Sequence, residues 1–283
     1  MQIITLTTDN GYQDHYVAAI KGKLLQSLPA AHIVDVTHQI APFNIIEAAF
    51  QLKCCFEDFP KGTIHIVGVD SEPVFDQEQK SLPGILKYKG HYFICNDNGF
   101  FGSFLEENPA EEFYLYTAIE QEREAWRFTT KNCFIDLAKR ILNNVSISDF
   151  ATASTSYKRA FDQKPTIDNL SIRGIIVHVD SFGNLITNIS KTDFERIGID
   201  IPFVIKYHKK EYFIDEISQT YNTVSQGERV AIFNNSGLLE IAINRGANNG
   251  FGGASKLFGM RVGDPVHVDF VPQGSKDNIQ SLF

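Results

Sequence analysis

The chain has 283 residues, 43% of them hydrophobic, and a net charge of −8. That length allows two domains with separate cores, and an acidic balance with no long basic run argues against nucleic acid and anionic membrane surfaces as partners. No apolar run reaches the length of a membrane span and no basic-then-apolar leader opens the sequence, so no membrane partner and a cytoplasmic location are expected.

The first element is the β-branched run Ile3-Ile4-Thr5-Leu6, which reads as a buried strand and ends in Asp9-Asn10-Gly11. Val17, Ile20, Leu24 and Leu28 then recur at helical spacing. Asp9 therefore lies where a strand gives way to a loop, the place where open α/β sheets bind ligands. A turn or helix-cap role is the plainer reading of the same residue. His32–Val36 is a second short strand. Ile45, Ala49, Leu52, Phe56 and Phe59 fall on one face of a second helix. Thr63–Val69 leads straight into Asp70, and Tyr92–Cys95 leads into Asn96-Asp97-Asn98-Gly99. A further helix is expected from about Asn132 to Leu142. This alternation predicts an α/β N-terminal domain with a mainly parallel sheet over residues 1–165, and acids or amides that follow several strands can meet in one crevice.

Ala151–Asn169 is rich in Ser, Thr, Lys and Asp around Pro165 and reads as a linker. Beyond it, short strands prevail. Ile175–Val179 comes first; Phe203–Tyr207 and Tyr212–Ile214 flank Lys209-Lys210 as a hairpin; Arg229–Phe233, Leu238–Asn244 and Pro265–Phe270 follow. This half predicts a β-barrel-like C-terminal domain over residues 170–283. After its first strand, Asp180-Ser181-Phe182-Gly183-Asn184 offers a carboxylate, an aromatic face and an amide together, which suits a purine nucleoside. Alone, it would pass for an ordinary polar turn. Gly246–Gly253 lacks the Lys-Ser/Thr of a phosphate loop and reads as a flexible loop. Cys54, Cys55, Cys95 and Cys133 have no CxxC spacing, which fits a reducing compartment, and eight histidines are scattered singly. Neither a metal nor an organic cofactor is expected.

In order and spacing, several of these runs together resemble the S-adenosylmethionine hydroxide adenosyltransferase family, relatives of the fluorinases and chlorinases. They are Leu6–Gly11, Val17–Gly22, Asp35-Val36-Thr37-His38-Gln39-Ile40, Asp97-Asn98-Gly99, Asp180–Asn188, and Asn235-Ser236 with Leu239-Glu240-Ile241-Ala242. The resemblance implies an α/β domain followed by a β-barrel, a homotrimer, and hydrolysis of S-adenosylmethionine to adenosine and methionine. By position, it implies that Asp9 holds the ribose hydroxyls and that Phe43 forms an aromatic wall. Asp180 and Asn184 would contact the methionine or nucleoside, Phe182 would stack, Ser236 would lie close by, and Asp70 would activate water.

The family's water-activating set is an Asp, an Arg and a His. Here Asp70 matches the first, Gln77 stands at the Arg position and Thr129 at the His position. Neither replacement supplies a fixed charge or a titration near neutral pH. Arg127, two residues from Thr129, reads as a surface arginine. Three readings follow: a divergent hydrolase that relies on Asp70, a protein that binds adenosine or S-adenosylmethionine without turnover, and, weakest, a halide-using relative, since the Asp70 carboxylate would repel an anion.

Overall fold

Parallel pairing of the first strands sets the architecture. In a computed structural model describing residues 2–160, 164–198, 201–208, 212–247 and 252–271, the chain divides into two units, Met1–Asp162 and Gln163–Phe283. In the first, β1 (Gln2–Thr8) is followed by α1 (Tyr16–Ser27), which buries Val17, Ile20 and Leu24 as their spacing predicts. β2 (Ala31–Thr37), α2 (Ile45–Lys53) and β3 (Ile64–Gly68) come next. Asn44 caps α2 by accepting the Glu47 N–H at 3.2 Å. Then follow β4 (Pro83–Tyr88), β5 (His91–Asn96), α3 (Phe100–Leu105), β6 (Glu112–Leu115) and α4 (Arg123–Trp126). A π-helical turn over Thr130–Phe134 runs into α5 (Ile135–Leu142), and β7 (Thr152–Ala153) closes the unit.

The strand order is β2-β1-β3-β5-β4-β6-β7. Pairing is parallel from β2 through β5 and antiparallel from β5 through β7. The sheet is therefore mixed: the parallel arrangement expected holds from β2 through β5, and the remainder is antiparallel. The cause is local: Lys89 (φ 49°) and Gly90 (φ 81°) form a two-residue left-handed turn that pairs Tyr88 with His91 and reverses the chain. The second helix also ends earlier than its apolar spacing suggests. Cys55 leaves helical geometry at φ −138°, and Phe56 sits on a separate 3₁₀ turn, Phe56–Asp58, where it is still buried.

Alternating strand residues fill two cores. Ile4, Leu6, Ile64, Ile66, Ile85 and Ile94 pack with α1 and α5 on one face. Val67, Val69, Leu86, Phe93 and Cys95 pack with α2 and α3 on the other. On the α2/α3 face, against Phe56 and Phe93, the strands β1, β3 and β5 share a polar seam. Thr5 on β1 stands opposite His65 on β3, with its Oγ1 2.7 Å from Nδ1, and His65 Nε2 is 3.2 Å from Nδ1 of His91 on β5.

The second unit contains β8 (Thr166–Ile167), β9 (Ser171–Val179), β10 (Leu185–Ser190), α6 (Lys191–Ile197), β11 (Phe203–Tyr207) and β12 (Phe213–Ile214). β13 (Arg229–Phe233), β14 (Leu238–Ile243), α7 (Gly253–Phe258) and β15 (Pro265–Phe270) complete it. All pairs are antiparallel in the order β12-β11-β15-β9-β10-β14-β13, with β8 added on β9. The end strands β12 and β13 approach each other, and the Arg229 guanidinium lies 5.4 Å from the Phe213 ring centre across that seam. The sheet is thus nearly a closed barrel around Ile172, Ile176, Leu185, Leu239, Ile241 and Val268. The expected hairpin between β11 and β12 is present as a strand pair; its Lys209-Lys210 turn lies outside the described residues, as do residues 248–251 of the glycine-rich run. The stretch read as a linker contributes β7 to the first sheet and β8 to the second.

Candidate functional site

The parallel strands β1, β3 and β5 are neighbours, so their carboxyl ends lie side by side. Those ends carry Asp9, Asp70 and the run Asn96-Asp97-Asn98. Asp9 acts on Asp70: burial, then the Asp9 charge, push the Asp70 carboxyl above the usual carboxylate range. Asp9 Oδ2 accepts the Phe43 N–H at 2.9 Å, which ties the β1 loop to the loop before α2. Among the described residues, no donor reaches Asp9 Oδ1. Phe43 has φ 65° and a ring that is 72% exposed, so its aromatic face is presented rather than packed.

Beneath this rim, Thr8 Oγ1 is 2.7 Å from His38 Nδ1, and both residues are fully buried. His38 Nε2 lies 3.1 Å from Asp35 Oδ1, close but without hydrogen-bond alignment. Lys21 Nζ reaches Asp35 Oδ2 at 2.6 Å. Burial works to raise the Asp35 pKa, but Lys21 and His38 outweigh it and hold the group below its ordinary value. The Gly11 N–H donates to the His38 carbonyl at 2.7 Å, and Tyr12 meets the His38 ring edge-on at 5.1 Å. This ladder braces the Asp9 loop from below.

Asp70 is a non-glycine residue with φ 45°. Its loop is gripped from β5: Asn96 Nδ2 donates to the carbonyls of Ser71 (2.8 Å) and Glu72 (2.7 Å), and Asn98 Nδ2 to those of Val69 (3.1 Å) and Asp70 (3.0 Å). Of the two family positions that differ, Gln77 is exposed in the same loop, whereas Thr129 is fully buried and its Oγ1 donates to the Trp126 carbonyl at 2.9 Å. Arg127 is exposed.

In the second unit, the turn between β9 and β10 is organised by Asp180. Its Oδ1 accepts the N–H groups of Phe182 (2.9 Å) and Asn184 (2.8 Å), and its Oδ2 accepts Asn184 Nδ2 (3.0 Å). Asn184 is buried while the Phe182 ring is 64% exposed. Gly183, at φ 77°, lets this turn lie directly on Gly252 and Gly253, where an added Cβ would sit 2.2 Å from the Gly252 carbonyl oxygen. Ser255 N–H closes the contact on the Gly183 carbonyl at 2.8 Å. The end of the glycine-rich run is thus a platform for the Phe182 turn.

Ser236 is exposed in the β13–β14 turn and donates its N–H to Asn234 Oδ1 at 3.0 Å. Ile186 pairs with Glu240 and Ser190 with Leu238, so this turn meets the far end of β10 from Asp180–Asn184. Between the two turns lies a pair for which sequence reading assigned no role. Glu240 is buried, accepts the Tyr221 hydroxyl at 2.6 Å and takes Asn234 Nδ2 at 3.2 Å. Burial, Glu240 and the Asp180 charge all push the Tyr221 phenol up. A lone acid inside the apolar run Leu238–Ile243 was the available signal, because a buried carboxylate needs a partner. Among the described residues, no cluster of His, Cys, Asp and Glu could hold a metal ion, and no helix is long and apolar enough to cross a membrane.

Family models for the N-terminal and C-terminal domains of SAM hydroxide adenosyltransferase match residues 4–151 and 174–267. The chain is 28% identical over 277 residues to the (R)-S-adenosyl-L-methionine hydrolase of Methanocaldococcus jannaschii, covering 95% of this chain and 96% of that one. It is 29% identical over 225 residues to a fluorinase of an Actinoplanes species, covering 70% and 74%. The crystal structure of an uncharacterized conserved protein from Thermotoga maritima superimposes with a TM-score of 0.80 at 25% identity, over 95% of this chain and all of that one.

Proposed function

This chain belongs to the SAM hydroxide adenosyltransferase family, and on that premise we propose that it hydrolyses S-adenosyl-L-methionine to adenosine and L-methionine. The observation that carries the reading is Asp70, a carboxylate held at the end of β3 beside Asp9 at the end of the adjacent parallel β1. Relatives named (R)-S-adenosyl-L-methionine hydrolase along nearly their whole length support the same reaction.

In this reading the nucleoside lies with its ribose hydroxyls on the open Oδ1 of Asp9 and its sugar against Phe43. Phe182 stacks and Asp180 and Asn184 contact the methionine or nucleoside, whereas Ser236, at the other end of β10, is the residue of this set with the weakest support. Water attacks the 5′ carbon from the side opposite sulfur. The C–O bond forms as the C–S bond breaks, the electron pair returns to sulfur as a neutral thioether, and Asp70 takes the water's proton. The sulfonium is already an excellent leaving group, so the site needs to place one water and exclude others. With Gln77 and Thr129 in place of the charged partners, turnover is slow; loss of a positioned acid–base group typically costs about 10²–10⁴-fold.

The test is purified protein with each sulfonium epimer of S-adenosyl-L-methionine, followed by chromatography. Adenosine and methionine in equal amounts are expected, and Asp70→Asn should remove most of the turnover while leaving adenosine affinity intact. Tight adenosine binding with no product from the wild type would instead support the binding-protein reading, for which the uncharged residues at 77 and 129 are the motivating observation. A homotrimer is part of the same proposal, and sedimentation that finds a monomer binding adenosine at full affinity counts against it.

A further inference from the structure

The group proposed to accept the water's proton stands on a left-handed backbone conformation, which aspartate tolerates better than most residues but still at a cost. At φ 45°, Asp70 lies in the left-handed region, where a side chain with a Cβ is disfavoured unless its surroundings impose it. What imposes it is visible. Four consecutive carbonyls, from Val69 to Glu72, are taken by two side-chain nitrogens, Asn98 Nδ2 at 3.1 and 3.0 Å and Asn96 Nδ2 at 2.8 and 2.7 Å. Each amide nitrogen reaches two carbonyls of the loop.

The clamps are themselves fixed. Asn96 is the last residue of β5, which runs parallel to β3, and it is fully buried. Asn98 Oδ1 accepts the Phe100 N–H at 3.2 Å, so the start of α3 orients its amide. From the other side, Thr130 Oγ1 donates to Ser71 Oγ at 3.0 Å. The loop therefore has little freedom to relax toward an extended conformation, which would swing the Asp70 carboxylate away.

We propose that Asn98, assisted by Asn96, is a positioning residue for the hydrolysis: it holds Asp70 in its left-handed conformation and so aims the carboxylate at the attacking water. The proposal rests on the reading of Asp70 as the group that takes the water's proton. A purely structural role for Asn98, starting α3 through its Oδ1, would be served equally by aspartate, which accepts the same N–H but has no donor for the carbonyls.

The experiment compares wild type, Asn98→Ala, Asn98→Asp and Asp70→Asn for turnover of S-adenosyl-L-methionine, KM and adenosine affinity, with folding checked by circular dichroism. Misplacing a reacting group by about 1 Å costs up to about 100-fold. Both Asn98 variants should lose about 10- to 100-fold in kcat while KM and adenosine affinity stay within about twofold. Adding Asn98→Ala to Asp70→Asn should then cost little more. If the alanine variant does not fold, Asn98→Ser, whose hydroxyl can serve one carbonyl, should give a smaller loss of the same kind. Wild-type kcat in Asn98→Ala, or in Asn98→Asp alone, overturns the positioning role while leaving Asp70 in place. A fully active Asp70→Asn, or a wild type without turnover, overturns the Asp70 reading and the positioning role with it.

Discussion

Lowering the pH from 7 to 4 should weaken the α/β unit, and His65 should carry a large part of the loss. The ring is fully buried on β3, stacked on Phe93 at 4.8 Å, with Thr5 Oγ1 at one nitrogen and His91 at the other. Burial, and then the neighbouring His91, depress its pKa from 6.5 to about 3. The folded state thus binds its proton later than the unfolded chain, so the stability is fully present above 6.5 and is lost as pH falls toward 3. One unit of pKa difference corresponds to about 1.4 kcal/mol. From 6.5 down to pH 4 the loss is about 3 kcal/mol, a large share of a typical total of about 5–15 kcal/mol. The assay is urea unfolding at pH 7, 5.5 and 4 for the wild type and for His65→Gln, which can still bond to Thr5 and His91 but does not titrate. Groups remote from His65 titrate alike in both proteins, so the difference between the two curves reports His65 together with its coupled neighbour His91. It should shrink by about 3 kcal/mol between pH 7 and pH 4. Parallel curves, or an NMR titration of His65 centred near 6.5, would refute the reasoning.

Asp9→Ala should weaken adenosine binding by about 1.5–3 kcal/mol for each ribose hydroxyl lost, read by calorimetry on folded protein; unchanged affinity would leave Asp9 as the loop tie to Phe43 alone. Gly183→Ala forces a Cβ into a left-handed residue and against the Gly252 carbonyl, so it should cost at least about 1–2 kcal/mol in urea unfolding and loosen the Phe182 turn; a neutral substitution would contradict the contact. Because the Asp70 carboxyl of the free protein is held above the usual range by burial and Asp9, and the proton acceptor must be ionised, kcat/KM should fall on acidification at a pH above that of an ordinary aspartate. Asp9→Asn should move that limb downward, and an unmoved limb would assign it to another group.

Much of the fold was legible locally. The helical spacing of Val17, Ile20 and Leu24, the β-branched strands that end at Asp9 and Asp70, and the run of short strands after residue 170 are patterns of period 3.6 and 2 that any window of the chain displays. The turn at Asp180–Asn184 was legible for the same reason, since Asp, Gly and Asn carry their own backbone preferences. β4 was not, because Pro83-Gly84 at its start looks like a break, while in the structure Gly84 lies against the rings of Phe101 and Phe113, where a Cβ would not fit. Strand order and direction depend on pairing across the chain, and no local period encodes them. For that reason only the tertiary structure could set Asp9 beside Asp70, put Asn96 and Asn98 on the carbonyls of the Asp70 loop, and give Glu240 its partners Tyr221 and Asn234. The chain determined which residues end its strands; the pairing of those strands decided which of them meet.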